Sequence, residues 1–358
     1  MKKAYFSKKI VEWYEASHRD LPWRNTQDPY KIWLSEIILQ QTRVAQGLPY
    51  YKRFIRNYPN VKSLAGAKEQ EVLRLWQGLG YYTRARNLHS CARKVSEDFN
   101  GKFPQSWEEL RKLPGIGDYT AAAIASFAFN QKVAVVDGNV YRVLARIFGI
   151  DNDITSTTGK RLFFELANQL IPDHQPGLYN QAIMEFGAMH CLPQNPQCVD
   201  CPFGKGCYAF QYDAQSLLPV KRKKKAVTRR YFYYFIFRMG NKILMTRRIQ
   251  KDIWSGLFDF PLLEEKRSVP VARVLEKIFQ SGSTLQQVVT SAFVSIDYKH
   301  VLTHQTIYAR FVEIDWPAGK RLPAALLSDD GTWHLARQLE KLPKPRLITR
   351  YLEDRGIL

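Results

Sequence analysis

Apolar residues recur at three- and four-residue spacing from residue 1 to about 216, broken only by short turns containing glycine or proline. That pattern predicts roughly ten helices, clearest over 32–44, 61–75, 85–99, 106–113, 119–129, 140–148 and 178–189. Beyond residue 230 the texture changes. YFYYFIF (231–237), a Met-Gly-Asn turn and KILMTRR (242–248) predict a β-hairpin. Further strands are predicted at 292–298 and 306–314, with helices near 271–281 and 346–355. The chain therefore divides into an all-α domain over 1–216 and a smaller α+β domain over 230–358. Residues 217–229 read as the linker between them, because LLPVKRKKKAVTRR carries seven basic residues, five of them consecutive at 221–225. Such a run is either a solvated hinge or a basic strap lying on phosphates.

Charge narrows the class of partner. The 358 residues hold 53 Lys plus Arg against 33 Asp plus Glu, a net charge of +20, which favours a polyanion. No apolar run reaches the ~20 residues that span a bilayer, and the N-terminus has charges but no apolar signal core. Nucleic acid is the expected partner, with no membrane association and a cytoplasmic location.

Several local patterns carry candidate chemistry. In LPGIGDYTAAAI the turn Pro114, Gly115, Ile116, Gly117 opens a helical run, so two glycines and a helix N-terminus present backbone amides to a phosphate. Asp137 follows about twenty residues later in a glycine-broken turn. Glu36 lies among apolar residues on the predicted helix 32–44, where desolvation would raise its pKa as a proton donor requires; on that pattern alone it could equally face solvent. An acid paired with a second carboxylate is the arrangement that cleaves glycosidic bonds. Four of the five cysteines, Cys191, Cys198, Cys201 and Cys207, form a C-x6-C-x2-C-x5-C loop. Its compactness favours a [4Fe-4S] cluster over zinc, although four thiolates can hold either. Finally, Tyr81 and Tyr82 follow two glycines in GLGYYTRARNL, where an exposed tyrosine could wedge between bases.

Taken together with LPWR, SEIILQQTRV, VVDGNVYRVLAR and NQAIMEFGAMHC, these segments resemble the helix-hairpin-helix DNA glycosylases with an iron-sulfur loop, and within them the MutY-type adenine DNA glycosylases. The resemblance implies a multidomain protein: an all-α helix-hairpin-helix domain with a [4Fe-4S] loop held by the four cysteines, then an α+β Nudix-like domain. It implies a monomer that flips adenine mispaired with 8-oxoguanine, or with guanine, from double-stranded DNA and excises it. Glu36 matches the general acid, Asp137 the carboxylate that stabilises the deoxyribose cation, and Tyr119 and Asn139 their supporting residues. Arg24 and Glu185 fall where the family contacts adenine, and Gln41 and Tyr82 where it enters the base stack. The hairpin 114–117 would bind a DNA phosphate, and a monovalent cation can accompany it.

Position 119 separates relatives, because the lyase members carry a lysine there that forms a Schiff base, and tyrosine cannot. A monofunctional glycosylase is expected. In the second domain WSGLFDFP resembles the Nudix-like module without the glutamate-rich magnesium box. Leu302, Thr303 and His304 stand where relatives read 8-oxoguanine with Phe-Ser-His; threonine keeps the hydroxyl, and leucine loses the aromatic ring.

Overall fold

The computed structural model describes residues 3–222, 227–250, 252–279, 292–323, 326 and 331–358. They form two compact units, residues 3–67 with 87–222, and residues 68–86 with the described residues from 227 onward.

Through residue 211 the helices are α1 (Lys3–Ser17), α2 (Pro29–Leu39), α3 (Val44–Asn57), α4 (Val61–Ala65), α5 (Glu69–Leu75), α6 (Tyr82–Asp98), α7 (Trp107–Leu110), α8 (Asp118–Phe129), α9 (Gly138–Phe148), α10 (Thr157–Leu170), α11 (Pro176–Met189) and α12 (Tyr208–Gln211). Two predicted runs are each split. α2 begins where Asp28 accepts from the Tyr30 amide at 2.9 Å, with Pro29 in the first helical position. It stops at Leu39 rather than 44, because Gln41 takes a left-handed backbone with φ 56°. The run over 61–75 breaks at Gly66, which ends α4, and helix resumes at α5. The core of the first unit is built by Phe6, Ile10, Leu144, Phe163, Tyr179, Phe186 and Phe203, so α1, α9, α10 and α11 share one interior with the cysteine loop.

The predicted linker is shorter than 217–229. Leu218 is buried, the Ile154 amide donates to the Val220 carbonyl at 3.1 Å, and Arg222 pairs with Asp153 at 3.1 Å, all within the first unit. At its far end residues 228 and 229 are already in a strand. Residues 223–226, the centre of the basic run, lie outside the described residues.

Among its described residues the second unit holds a mixed sheet of eight strands: β1 (Thr228–Met239), β2 (Lys242–Arg247), β3 (Phe258–Asp259), β4 (Leu262–Glu265), β5 (Phe293–Val294), β6 (Tyr298–Val301), β7 (Gln305–Asp315) and β8 (Gly331–Leu335). β1 and β2 form the expected antiparallel hairpin, and β1 also runs parallel to β7 from Thr228 to Arg238. Its continuous apolar run reflects burial on both faces. Tyr233, Phe235 and Phe237 pack with Val274 and Ile278 of α13 (Val271–Phe279). On the opposite face Tyr234 stacks on Phe311, which stacks on Tyr351 of the last helix. That helix follows α14 (Ala336–Leu339) as α15 (Arg346–Asp354). The strand predicted over 292–298 shrinks to β5, with Tyr298 opening β6, and 280 and 281 at the end of the predicted helix lie outside the described residues.

Candidate active site

Helix α2 carries Glu36 inward. Its residues 32–38 are buried without interruption, with Glu36 9% exposed. Burial pushes it up to about 7, a rise only partly countered by Tyr119, whose hydroxyl donates to Glu36 Oε2 at 2.8 Å. Tyr119 sits in the first turn of α8, so the hairpin that starts α8 also places the hydroxyl on the acid.

Asp137 is the N-cap of α9. Its Oδ1 accepts from the amides of Asn139 and Val140, each at 2.8 Å, and its Oδ2 from Asn139 Nδ2 at 2.7 Å. Burial raises this carboxyl, and the same three donors with Arg142 oppose the rise. One turn on, Arg142 Nη2 donates to Asn139 Oδ1 at 2.9 Å and to the Gly187 carbonyl at 2.6 Å, while its Nε donates to the Cys191 carbonyl at 2.7 Å. Gly187 permits this approach of α11 to α9, since a Cβ there would lie 2.7 Å from Asn139 Cβ.

Glu185, on α11, is 1% exposed. Its Oε1 accepts from Arg19 N at 3.1 Å, Arg19 Nε at 2.7 Å and Arg24 Nη1 at 2.9 Å, and its Oε2 from Arg19 Nη2 at 2.5 Å and Arg24 Nη2 at 2.6 Å. Burial works to raise this carboxyl, but pairing with Arg19 and Arg24 outweighs it and holds it down at about 2. All six expected residues, Glu36, Asp137, Tyr119, Asn139, Arg24 and Glu185, line one cavity of about 500 Å³, together with Arg19 and Arg142. Arg19 is not evident from sequence, because its partner lies 166 residues away along the chain; Arg142 shares a helix with Asn139 three residues before it, but its partner Cys191 lies 49 residues away.

In the hairpin Ile116 is buried as an anchor, while Gly115 and Gly117 are exposed. Gly115 has φ +72°, and a side chain there would also strike Asn87, so only glycine fits. Gln41, just past α2, is exposed on its left-handed backbone. Of the two tyrosines, the structure corrects the choice. Tyr82 is 5% exposed and its hydroxyl donates to the Lys344 carbonyl at 3.3 Å, so it belongs to the core of the second unit. Tyr81 is 43% exposed, has φ 49°, and its hydroxyl is hydrogen bonded to Thr303. Leu302, Thr303 and His304 form the turn between β6 and β7 and line a second cavity of about 340 Å³ with Tyr81 and Trp254.

Cys191, Cys198, Cys201 and Cys207 line a common small cavity as free thiols. Among the described residues no three His, Cys, Asp or Glu side chains form a group that could hold a metal ion. The buried guanidinium of Arg146 points at this site, with Nη1 3.5 Å from Cys191 Sγ, and its other nitrogens donate to the carbonyls of Pro193, Gln215 and Leu218.

Residues 34–169 match the HhH-GPD superfamily of base excision DNA repair proteins, and residues 233–354 match the NUDIX domain. The chain is 38% identical over 262 residues to the adenine DNA glycosylase of Buchnera aphidicola subsp. Schizaphis graminum, covering 73% of this chain and 76% of that protein. The chain belongs to the adenine DNA glycosylase family. The adenine DNA glycosylase of Mus musculus is 46% identical over 58% of this chain and 42% of its own. Among solved structures, a thermostable thymine-DNA glycosylase superposes with a TM-score of 0.55 at 31% identity, over 59% of this glycosylase and 97% of that chain. A non-covalent endonuclease III–DNA complex, at 24% identity and a TM-score of 0.51, shares the fold. Among the described residues no helix of this glycosylase is long and apolar enough to cross a membrane.

Proposed function

We propose that this adenine DNA glycosylase removes adenine mispaired with 8-oxoguanine, or with guanine, and leaves an abasic site in an uncut strand. The observation that carries this reading is the buried Glu36 carboxyl, pushed up to about 7, in the same cavity as an Asp137 that receives three N–H donors. Burial raises both carboxyls, and the three N–H donors and Arg142 that oppose the rise at Asp137 suit it to stabilising charge while Glu36 serves as the acid.

With adenine flipped into the cavity, Glu36 gives its proton to N7. The bond from N9 to C1′ then breaks with its electron pair going to the base, and neutral adenine leaves. The positive charge left on the sugar meets the Asp137 carboxylate, which stabilises it and captures C1′ before water replaces the aspartate. The proton released by that water returns to Glu36. Tyr119 orients the acid, and Asn139 keeps both Asp137 oxygens supplied with donors. No lysine is among the described residues lining the cavity, which supports hydrolysis without a Schiff base.

In the second unit the cavity shared by Tyr81, Leu302, Thr303 and His304 is suited to reading the base opposite adenine, through the Thr303 hydroxyl and the His304 ring. The exposed hairpin amides and the net charge of +20 suit double-stranded DNA, and Gln41 is placed to enter the stack. A monovalent cation at the hairpin, action as a monomer and a cytoplasmic, nucleoid-associated setting complete the reading.

The four cysteines fit a [4Fe-4S] cluster. A single tetrahedral ion needs thiolates drawn to one point, whereas a cubane spreads its ligands over four irons and matches thiols around a cavity rim. Burial pushes the Cys201 thiol up to about 12, so ionised ligands there need cationic charge. The cluster would supply a covalent tie across the loop, with Arg146 offsetting its negative charge.

Single-turnover assays on duplexes with adenine opposite 8-oxoguanine, adenine opposite guanine, and thymine or uracil opposite guanine test the substrate. Adenine opposite 8-oxoguanine is expected to react fastest, and faster release of thymine or uracil would overturn the proposal.

A further inference from the structure

The contacts of Glu185 leave no free acceptor on its carboxylate. Five N–H donors from two arginines occupy both oxygens, about the full capacity of the group. The arginines are held differently. Arg24 is 13% exposed, donates to the Arg19 carbonyl at 3.0 Å and lies over the Tyr14 ring, whereas Arg19 is 33% exposed and supplies three of the five donors. Arg24 is the more enclosed partner and the Arg19 guanidinium the more exposed one.

We propose that Arg19 is a positioning residue that determines base specificity, by keeping Glu185 an acceptor-only carboxylate until the amine of a 6-aminopurine takes its place. The inference rests on adenine occupying this cavity. An amine presents N–H donors to the vacated carboxylate edge, as the guanidinium did. A 6-oxopurine presents a lone pair there and is repelled. A protonated Glu185 would reverse that choice, because its O–H donates to a carbonyl. Without the Arg19 guanidinium this 1%-exposed carboxylate keeps the residue-19 backbone amide but loses two donors, Nε and Nη2, and one of two counter-charges, which favours its neutral form.

The test compares single-turnover rate constants on duplexes carrying adenine or hypoxanthine at the same site, opposite the same base. Wild type is expected to prefer adenine strongly. Arg19→Gln is expected to lower the adenine-to-hypoxanthine ratio by on the order of tenfold or more. Arg19→Lys, which restores the charge, is expected to recover most of the ratio. Glu185→Gln, an amide with both donor and acceptor, is expected to relax the ratio as well, and adding Arg19→Gln to it should relax it no further. Equal slowing of both bases in Arg19→Gln, or full discrimination in Glu185→Gln, would overturn the inference. Failure of wild type to release adenine would instead overturn the reading of the cavity.

Discussion

Arg142 is bonded to Cys191, its Nε donating to the cysteine carbonyl at 2.7 Å, while another nitrogen of the same guanidinium holds Asn139 at 2.9 Å. Asn139 in turn holds Asp137. The first cysteine of the loop is thus two side chains away from the Asp137 carboxylate.

Arg142→Gln is therefore expected to do two things together. Breaking hydrogen bonds from a buried charged group should destabilise the first unit by about 3 kcal/mol, read as a lowered denaturation midpoint. Loss of the Asn139 anchor should slow adenine release by on the order of 10²-fold in single turnover, because Asp137 loses its fixed orientation. A normal rate in a folded Arg142→Gln protein would show that the link is not used.

Glu36 should give the rate an alkaline limb near pH 7, since only its protonated form donates. Tyr119 stabilises the ionised form, so Tyr119→Phe should move that limb to higher pH. Glu36→Gln should remove acid assistance, about 10²- to 10⁴-fold in rate. Stability should move the other way. A carboxyl whose pKa rises on folding from 4.5 to about 7 costs nothing below 4.5, and its penalty grows until pH passes 7. Glu36→Gln should accordingly be more stable than wild type at pH 8, by about 1 to 3 kcal/mol, with the gap closing toward pH 4 in denaturant titrations.

The two adjacent tyrosines should separate cleanly. Tyr82→Ala should cost about 3 kcal/mol of stability through its buried ring. Tyr81→Ala should leave stability within about 0.5 kcal/mol and instead narrow the rate difference between adenine opposite 8-oxoguanine and adenine opposite guanine.

Iron and sulfide analysis of the purified protein is expected to find about four of each per chain, with the broad visible absorption of iron bound to sulfur. Cys201→Ala should lower the iron content and the midpoint of thermal unfolding. Zinc without iron would contradict the cluster.

Much of this site was legible in the chain because its signals are local. Glu36 is marked by apolar neighbours within one helix, Asp137 by its turn, the hairpin by two glycines, and the cysteines by their spacing. Arg19 was not legible, since it acts on a partner brought near only by packing of α11, and Arg142 was legible only as an i,i+3 neighbour of Asn139, its bonds to the Gly187 and Cys191 carbonyls being long-range. Tyr81 and Tyr82 differ by a backbone reversal at one residue, and hydropathy does not reveal which of two neighbours points outward. Residues 68–75 read as the end of a helix and 76–84 as a glycine turn, both within the first domain, although 68–86 belong to the second unit. Gln41 ended a predicted helix early for a related reason, since its left-handed backbone carries no propensity signal in glutamine. The shortest strands, β3 and β5, are two residues long and fall below any period-2 signal.

The position of Asp137 at the head of α9 decides which inactive form of the protein can serve as a reagent. Asn139 and Val140 need an acceptor there whether or not chemistry occurs. Asparagine caps a helix about as well as aspartate, and alanine does not, at a cost of about 1 kcal/mol. Asp137→Asn should thus give a protein that keeps its architecture and grips a lesion without releasing the base, suitable for trapping and counting mispairs. Asp137→Ala would loosen the helix that reaches toward the cysteine loop, so a loss of binding in it would say nothing about the reaction.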